Sequence, residues 1–214
     1  MPLLRDRLAL QAAEACVAFS GRPERASDLR DAIHMLRPGD LPGPAGETYL
    51  CWRRAVERPV WAKTLHHALP EVDPARIAVW LDAAQGAPVT RAAQVLEAVL
   101  TQAPRAECPA LILADTALAL ALGWEHLSPV LAIGLKRADL RKRGADLRLA
   151  CHRAVTASVL EAVRLSSDLA RRTARLKAVA PKLRAKGAGA AVEMFLTRDV
   201  VAPSAMPLPD RAAR

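Results

Sequence analysis

Aromatic side chains are scarce in this sequence of 214 residues, which contains four Trp, one Tyr and two Phe. All four Trp lie in the first 124 residues, and no aromatic side chain is interleaved with the basic residues between positions 136 and 189. The sequence therefore does not favour a protein that stacks single-stranded bases on aromatic rings. Contacts to the phosphates of a duplex need no aromatic side chain, so that class of binding stays open.

Long hydrophobic runs are also missing. The longest apolar stretch, Pro109 to Trp124, contains Asp115, and it is shorter than the roughly 20 residues that a helix needs to cross a bilayer. Charged residues interrupt the apolar start of the chain, Met1 to Phe19, which indicates an amphipathic helix and not a signal peptide. We therefore expect no membrane span.

Cysteine is sparse and has no metal-binding spacing. Cys16, Cys51, Cys108 and Cys151 lie far apart in a chain too large to need a disulfide scaffold, which predicts reduced core thiols in a cytoplasmic protein. The chain contains no His-Glu-x-x-His and no Cys-x-x-Cys motif, so we expect no metal and no cofactor. It also lacks Gly-x-Ser-x-Gly, and no catalytic residue is predicted.

Positive charge is abundant but unevenly distributed. The net charge is +9, yet residues 1–135 carry 13 Lys and Arg against 15 Asp and Glu, whereas residues 136–214 carry 18 against 7. A concentration of this sign favours a polyanion such as nucleic acid, or an anionic membrane surface. An alternative explanation of the positive charge is the base composition of the genome. Of the 31 basic residues, 25 are Arg, as a GC-rich genome would give. That alternative explains the Arg content but not its clustering.

The pattern of apolar residues predicts an all-α fold. Helical periodicity recurs throughout, interrupted by a loop at Pro38 to Gly46, and no alternating run long enough for a buried strand occurs. The segment Pro109 to Leu122 is apolar on all sides except at Asp115, which predicts a central helix. The longest helix is predicted from Ala145 to Val179. Its expected buried seam has heptad-like spacing and consists of Val155, Val159, Ala162, Leu169 and Leu176.

These elements predict one helical domain over residues 1–200. Within it, residues 1–135 form a near-neutral helical core and residues 136–200 a basic helical region. Residues 201–214 are expected to be a Pro-rich linker followed by the truncated start of a further helix.

The strongest candidate binding segment is the basic, Gly-rich turn at residues 181–189. Glycines let backbone amides approach a ligand, and a helix N-terminus carries a partial positive charge, so a phosphate fits there. The order of residues is not that of a P-loop, and a solvated turn without function is an equal alternative. The candidate anion-binding or nucleic-acid-binding residues are Lys182, Arg184, Lys186, Gly187 and Gly189, with Arg171, Arg172 and Arg175 on the preceding helix.

Asp115 is the second candidate, because a carboxyl group inside an apolar helix must be paired, hydrogen-bonded or protonated. Its role is either functional or structural, and we favour a structural ion pair with an Arg of a neighbouring helix. No second acid is placed by the sequence to complete a general acid and base pair.

Four segments resemble a known family. They are residues 38–45 (PGDLPGPA), 114–124 (ADTALALALGW) with Pro129, 136–140 (KRADL) and 179–189 (VAPKLRAKGAG). In these segments the chain resembles a bacterial family catalogued as domain of unknown function 1403. The resemblance implies an uncharacterised, cytoplasmic helical protein with no catalytic residue to carry over. It also implies a further segment after residues 210–214, similar to a winged helix-turn-helix, without which the basic third would bind DNA with no base specificity.

The leading hypothesis is a non-enzymatic helical protein whose basic surface, residues 136–189, binds an anionic partner, with DNA as the candidate. The alternative is a helical protein–protein interaction module, or a homo-oligomer paired through the long helix, with no nucleic-acid role. A third reading, an enzyme built around Asp115, requires that carboxyl group to line a concave site.

Overall fold

A computed structural model describes residues 2–37, 39–184 and 187–201. These residues form helices joined by short connections and contain no β-strand, so the predicted all-α class is confirmed. The predicted linker, apart from Val201, lies outside the described residues. The α-helices are α1 (Pro2–Phe19), α2 (Ala26–His34), α3 (Gly43–Glu57), α4 (Ala62–Ala68), α5 (Pro74–Ala83), α6 (Pro88–Gln102), α7 (Glu107–Leu122), α8 (Val130–Gly134), α9 (Gly144–Val179) and α10 (Ala188–Thr197).

Helix α7 is the centre of the core. Every residue from Ala110 to Ala119 is buried, including Asp115, as expected for a helix that is apolar on all sides. It packs most extensively against α6 and also contacts α1, α3, α5 and α8. Gly123 ends the helix in the left-handed conformation, with φ of 68°, which glycine adopts without a steric penalty.

The predicted loop from Pro38 to Gly46 is wrong at its end, because α3 begins at Gly43. Pro44 lies in the first turn of α3, where a helix tolerates proline because that N–H has no partner within the helix. Gly46 is buried where α3 meets α2, and a Cβ there would lie 2.7 Å from Cβ of Pro42 at the start of α3 and 3.3 Å from Cδ1 of Ile33 in α2. The glycine in this stretch thus permits close packing of helices.

The long basic helix is confirmed as α9, with 36 residues. Its first half packs on α8 and α6, and it also contacts α1 and α10. Gly134 permits the close approach of α8, since a Cβ there would lie 2.5 Å from the carbonyl oxygen of Ala154. Of the predicted seam, Leu169 is buried and Val155 packs against the core, whereas Val159 is 38% exposed.

The connection between α8 and α9 contains a short 3-10 turn, Asp139–Arg141, and a second such turn, Ala180–Lys182, follows α9. Across the described part of the chain, no helix has the length and apolar character needed to cross a membrane.

Candidate functional site

The described cationic side chains of α9 concentrate on its solvent-exposed side. Arg153, Arg164, Arg171 and Arg175 are all exposed. An α-helix turns by about 100° and rises about 1.5 Å per residue, so these four positions fall within about 40° of one another over about 33 Å. We call these four residues the arginine stripe. Arg171 and Arg175 were predicted from the sequence as binding residues, whereas Arg153 and Arg164 were not, although the helical spacing of all four could have revealed them.

Acidic residues neutralise only part of this surface. Glu161 pairs with Arg164 at 2.5 Å, and Asp168 pairs with Arg171 and with Arg172, the latter at 3.0 Å. The hydrogen bond from Arg171 holds the pKa of Asp168 below its usual value. Arg175 forms no ion pair with any described residue. Exposed ion pairs of this kind are worth at most about 1 kcal/mol, so a polyanion can displace them.

The basic turn follows the end of α9 in the chain. Lys182 and Arg184 are exposed, whereas Lys186 lies outside the described residues. Gly187 adopts a left-handed conformation, with φ of 87°, and directly precedes α10. Gly189 in the first turn of α10 faces open space. The structure therefore places the described members of the predicted turn at the surface.

Asp115 has a different partner from the one expected. Its carboxyl group accepts hydrogen bonds from the backbone N–H groups of Leu131, at 2.9 Å, and Ala132, at 3.3 Å, in the first turn of α8. The expected ion pair with an Arg is wrong, because the unpaired N–H groups at a helix N-terminus satisfy a carboxyl group equally well. Asp115 is 0% exposed. A carboxyl group in this position holds α8 against α7 and presents no atom to a substrate.

A cleft of about 280 Å³ lies beside α1, α2 and α3 and was not predicted. Asp6, His34, Tyr49, Arg53 and Asp199 line it, together with Arg198, Val200 and Val201. Burial raises the pKa of Asp6 and Asp199, raises that of Tyr49 to about 12 and lowers that of His34. The charged forms of these side chains are therefore disfavoured. No local sequence pattern links residues spread between positions 6 and 199.

Three cysteines that lie far apart in the sequence meet in the core. Trp52 donates its indole N–H to Sγ of Cys16 at 3.4 Å. A hydrogen bond with Cys16, burial and the proximity of Cys51 raise the pKa of Cys108 well above its ordinary value. Protonated thiols are poor nucleophiles and poor metal ligands. Among the described residues, no group of three or more His, Cys, Asp or Glu side chains could hold a metal ion.

The fold and surface define an all-α protein with a central apolar helix and a long, exposed cationic helix. A family model described as "Protein of unknown function (DUF1403)" matches residues 1–214, and the chain belongs to this family. The resemblance seen in the four sequence segments is thereby confirmed. No curated protein and no solved structure matches the chain.

Proposed function

We propose that this protein is non-enzymatic and associates with duplex DNA through the arginine stripe and the basic turn that follows it. The observation that carries the proposal is the alignment of four exposed guanidinium groups on one side of α9. Guanidinium groups form paired hydrogen bonds with phosphate oxygens and remain charged at any physiological pH.

The length of the stripe supports a duplex as the partner. About 33 Å along α9 corresponds to about one turn of B-form DNA. Contacts of this kind go to phosphates, which position a protein on the duplex without reading its sequence. We therefore expect affinity that depends little on base sequence and that requires a duplex of roughly 10 base pairs.

Salt dependence tests this proposal directly. The logarithm of the binding constant should fall linearly with the logarithm of salt concentration, and the four phosphate contacts of the stripe alone contribute about −3.6 to the slope. Contacts by Lys182 and Arg184 of the basic turn make the slope steeper. The variant carrying Arg164→Gln and Arg175→Gln should lose about 1.8 of that slope. Binding is measured by fluorescence anisotropy of a labelled duplex over a series of potassium chloride concentrations.

Arg58 provides the matched control. It is an exposed arginine at the end of α3, so Arg58→Gln removes the same charge away from the stripe and should leave the slope unchanged. The proposal fails if the wild type does not bind at low salt, or if the double variant keeps the wild-type slope.

A second candidate function, self-association through α9, has its own support. Leu149 and Leu160 are 49% and 57% exposed and lie beside the stripe on α9, and Val163, 59% exposed, lies about 100° from the centre of the stripe. Apolar side chains at such spacing on a helix surface are typical of helix pairing. We propose a second copy of this chain, in antiparallel orientation, as the occupant.

Charge complementarity favours this partner. An antiparallel pairing whose two-fold axis passes between Leu160 and Glu161 brings the Leu160 side chains of the two chains together. It also places Arg153 opposite Asp168 and Arg175 opposite Asp146. Each of these pairs occurs twice by symmetry, as in any isologous contact. In an antiparallel pair, each flank of a helix meets the same flank of its partner. The charged positions 146, 153, 168 and 175 lie on one flank of α9, so they can meet one another across the pair.

Charge exchange tests the pairing. The measurement is molar mass by light scattering over a range of protein concentrations. Arg153→Asp should weaken the dimer, and adding Asp168→Arg to it should restore the dimer. A monomeric wild type, or a double variant no better than Arg153→Asp, would contradict this candidate.

A further inference from the structure

A cleft of about 320 Å³ lies at the other end of α9, where the connection from α8 meets α6 and α7. It is lined by Leu100, Pro104, Glu107, Arg137, Leu140, Arg141 and Arg143. Its volume is at the lower end of the range for small-molecule sites. We propose that this cleft binds a phosphate monoester dianion, such as the terminal phosphate of a small phosphorylated metabolite.

Three arginines supply the charge for this ligand. Arg137, Arg141 and Arg143 line one cleft, and none of them forms an ion pair with a carboxylate of the described residues. Glu107 is the acidic residue among the lining side chains, so the lining carries a net charge of +2. The apolar walls formed by Leu100 and Leu140 strengthen the field of these charges by excluding water.

The turn that carries the arginines is fixed before any ligand arrives. The Asp139 carboxylate accepts hydrogen bonds from the Lys136 N–H at 2.9 Å and from Nζ of Lys142 at 2.6 Å. Leu140 is buried and anchors the turn to the core. Arg143 donates from Nη1 to the carbonyl oxygens of Leu140 and Lys142, at 3.0 and 2.7 Å. The backbone of the turn and the Arg143 side chain are therefore ordered before a ligand binds, so that binding has to order only the exposed side chains of Arg137 and Arg141.

The charge balance selects a dianion. Two of the three guanidinium charges remain after Glu107 is counted, which matches a phosphate monoester above its second pKa, near 6. A phosphodiester carries a single charge and has fewer terminal oxygens for paired hydrogen bonds. Glu107 accepts hydrogen bonds only, so it suits a hydroxyl or amino group on the rest of the ligand. This site is separate from the arginine stripe and does not rest on the proposed DNA association.

Adenosine monophosphate and cyclic adenosine monophosphate form a matched pair of probes, because the first is a monoester and the second a diester of the same nucleoside. We expect titration calorimetry at about pH 7.5 to show saturable binding of inorganic phosphate and adenosine monophosphate, with dissociation constants below about 1 mM. The cyclic compound should bind at least about 10-fold more weakly, because it lacks the second charge.

Arg141→Gln should weaken phosphate and monophosphate binding by about 10-fold or more. Arg153→Gln, which removes a charge from the stripe, should leave both affinities unchanged. The proposal is overturned if neither probe binds at about 10 mM, if the cyclic and open compounds bind equally, or if both Arg variants lose affinity to the same extent. Monophosphate binding that survives Arg141→Gln would also overturn it, whatever the result for duplex DNA.

Discussion

Replacing Asp115 by asparagine tests how the carboxyl group at the centre of the core is satisfied. Asparagine keeps one carbonyl oxygen, which can still accept the N–H of Leu131, but its NH2 group has no acceptor capacity for the N–H of Ala132. A buried N–H without an acceptor costs about 1–3 kcal/mol. Asp115→Ala removes both acceptors, so we expect a loss of about 2–6 kcal/mol. Such a loss is a large part of the roughly 5–15 kcal/mol by which domains are stable.

Urea unfolding at mildly acidic pH, followed by circular dichroism, measures these losses, provided that the slope of free energy against urea is unchanged. Thr116→Val is the matched control. Thr116 is buried next to Asp115, and its hydroxyl donates to the carbonyl oxygen of Ile112 at 2.8 Å. Removing that hydroxyl leaves no backbone N–H unpaired, so we expect a loss of at most about 1 kcal/mol. Equal stability of Asp115→Asn and Thr116→Val would refute the assigned role of the carboxyl group.

The pH dependence of the difference in stability between the wild type and Asp115→Asn tests the protonation state of Asp115. Burial raises its pKa from 3.8 to about 8, opposed by the N–H groups of Leu131 and Ala132. Between pH 3.8 and about pH 8 the native state holds a proton on Asp115 that the unfolded chain has released. The contribution of this protonation to the free energy of unfolding is therefore full below about pH 4 and is lost as the pH rises through about 8. Asp115→Asn lacks this titration. The advantage of the wild type should therefore shrink with rising pH, and an advantage that grows would show an ionised Asp115 in the folded protein.

Two further predictions concern packing. Gly134→Ala should cost about 1–3 kcal/mol in urea unfolding, because its Cβ would meet the Ala154 carbonyl oxygen, whereas Gly189→Ala at an open position should not lower stability. A Gly134→Ala variant with the free energy of unfolding of the wild type would contradict the close approach of α8 and α9. Burial raises the pKa of Cys151 to about 12, so iodoacetamide at about pH 8 should modify this thiol far more slowly in the native protein than in urea. Equal rates by mass spectrometry would contradict its burial.

Helical periodicity and helix-end residues can be recognised in the sequence because they depend on neighbouring residues alone. Asp73 accepts the N–H of Ala75 at 3.0 Å, as an N-cap should, and Pro74 begins α5. The start of α3 was missed for a tertiary reason. Pro and Gly in residues 38–46 are the composition of a loop, but Gly46 is required both by the close approach of Pro42 at the start of α3 and by the contact with α2, and no local pattern reveals the contact with α2.

The candidate sites likewise differ in whether neighbouring residues in the sequence reveal them or only the fold assembles them. The exposed arginines of α9 follow from charge clustering and helical periodicity, both of which can be read along the chain. The partner of Asp115 belongs to α8, 16 residues later, and could not be read in this way. The cleft of Arg137, Arg141 and Arg143 needs α6 and α7 for its walls, so only the fold assembles it.

The two proposals for α9 compete for one surface. A duplex on the arginine stripe covers Leu160, and a second copy paired through Leu160 engages Arg153 and Arg175 in ion pairs. Because a duplex and a second copy of the chain cannot occupy this surface together, linkage requires that conditions favouring the dimer weaken DNA binding. Leu160→Gln should therefore weaken the dimer while leaving DNA affinity unchanged or increased. A loss of DNA affinity in this variant would show that the dimer itself is the form that binds DNA.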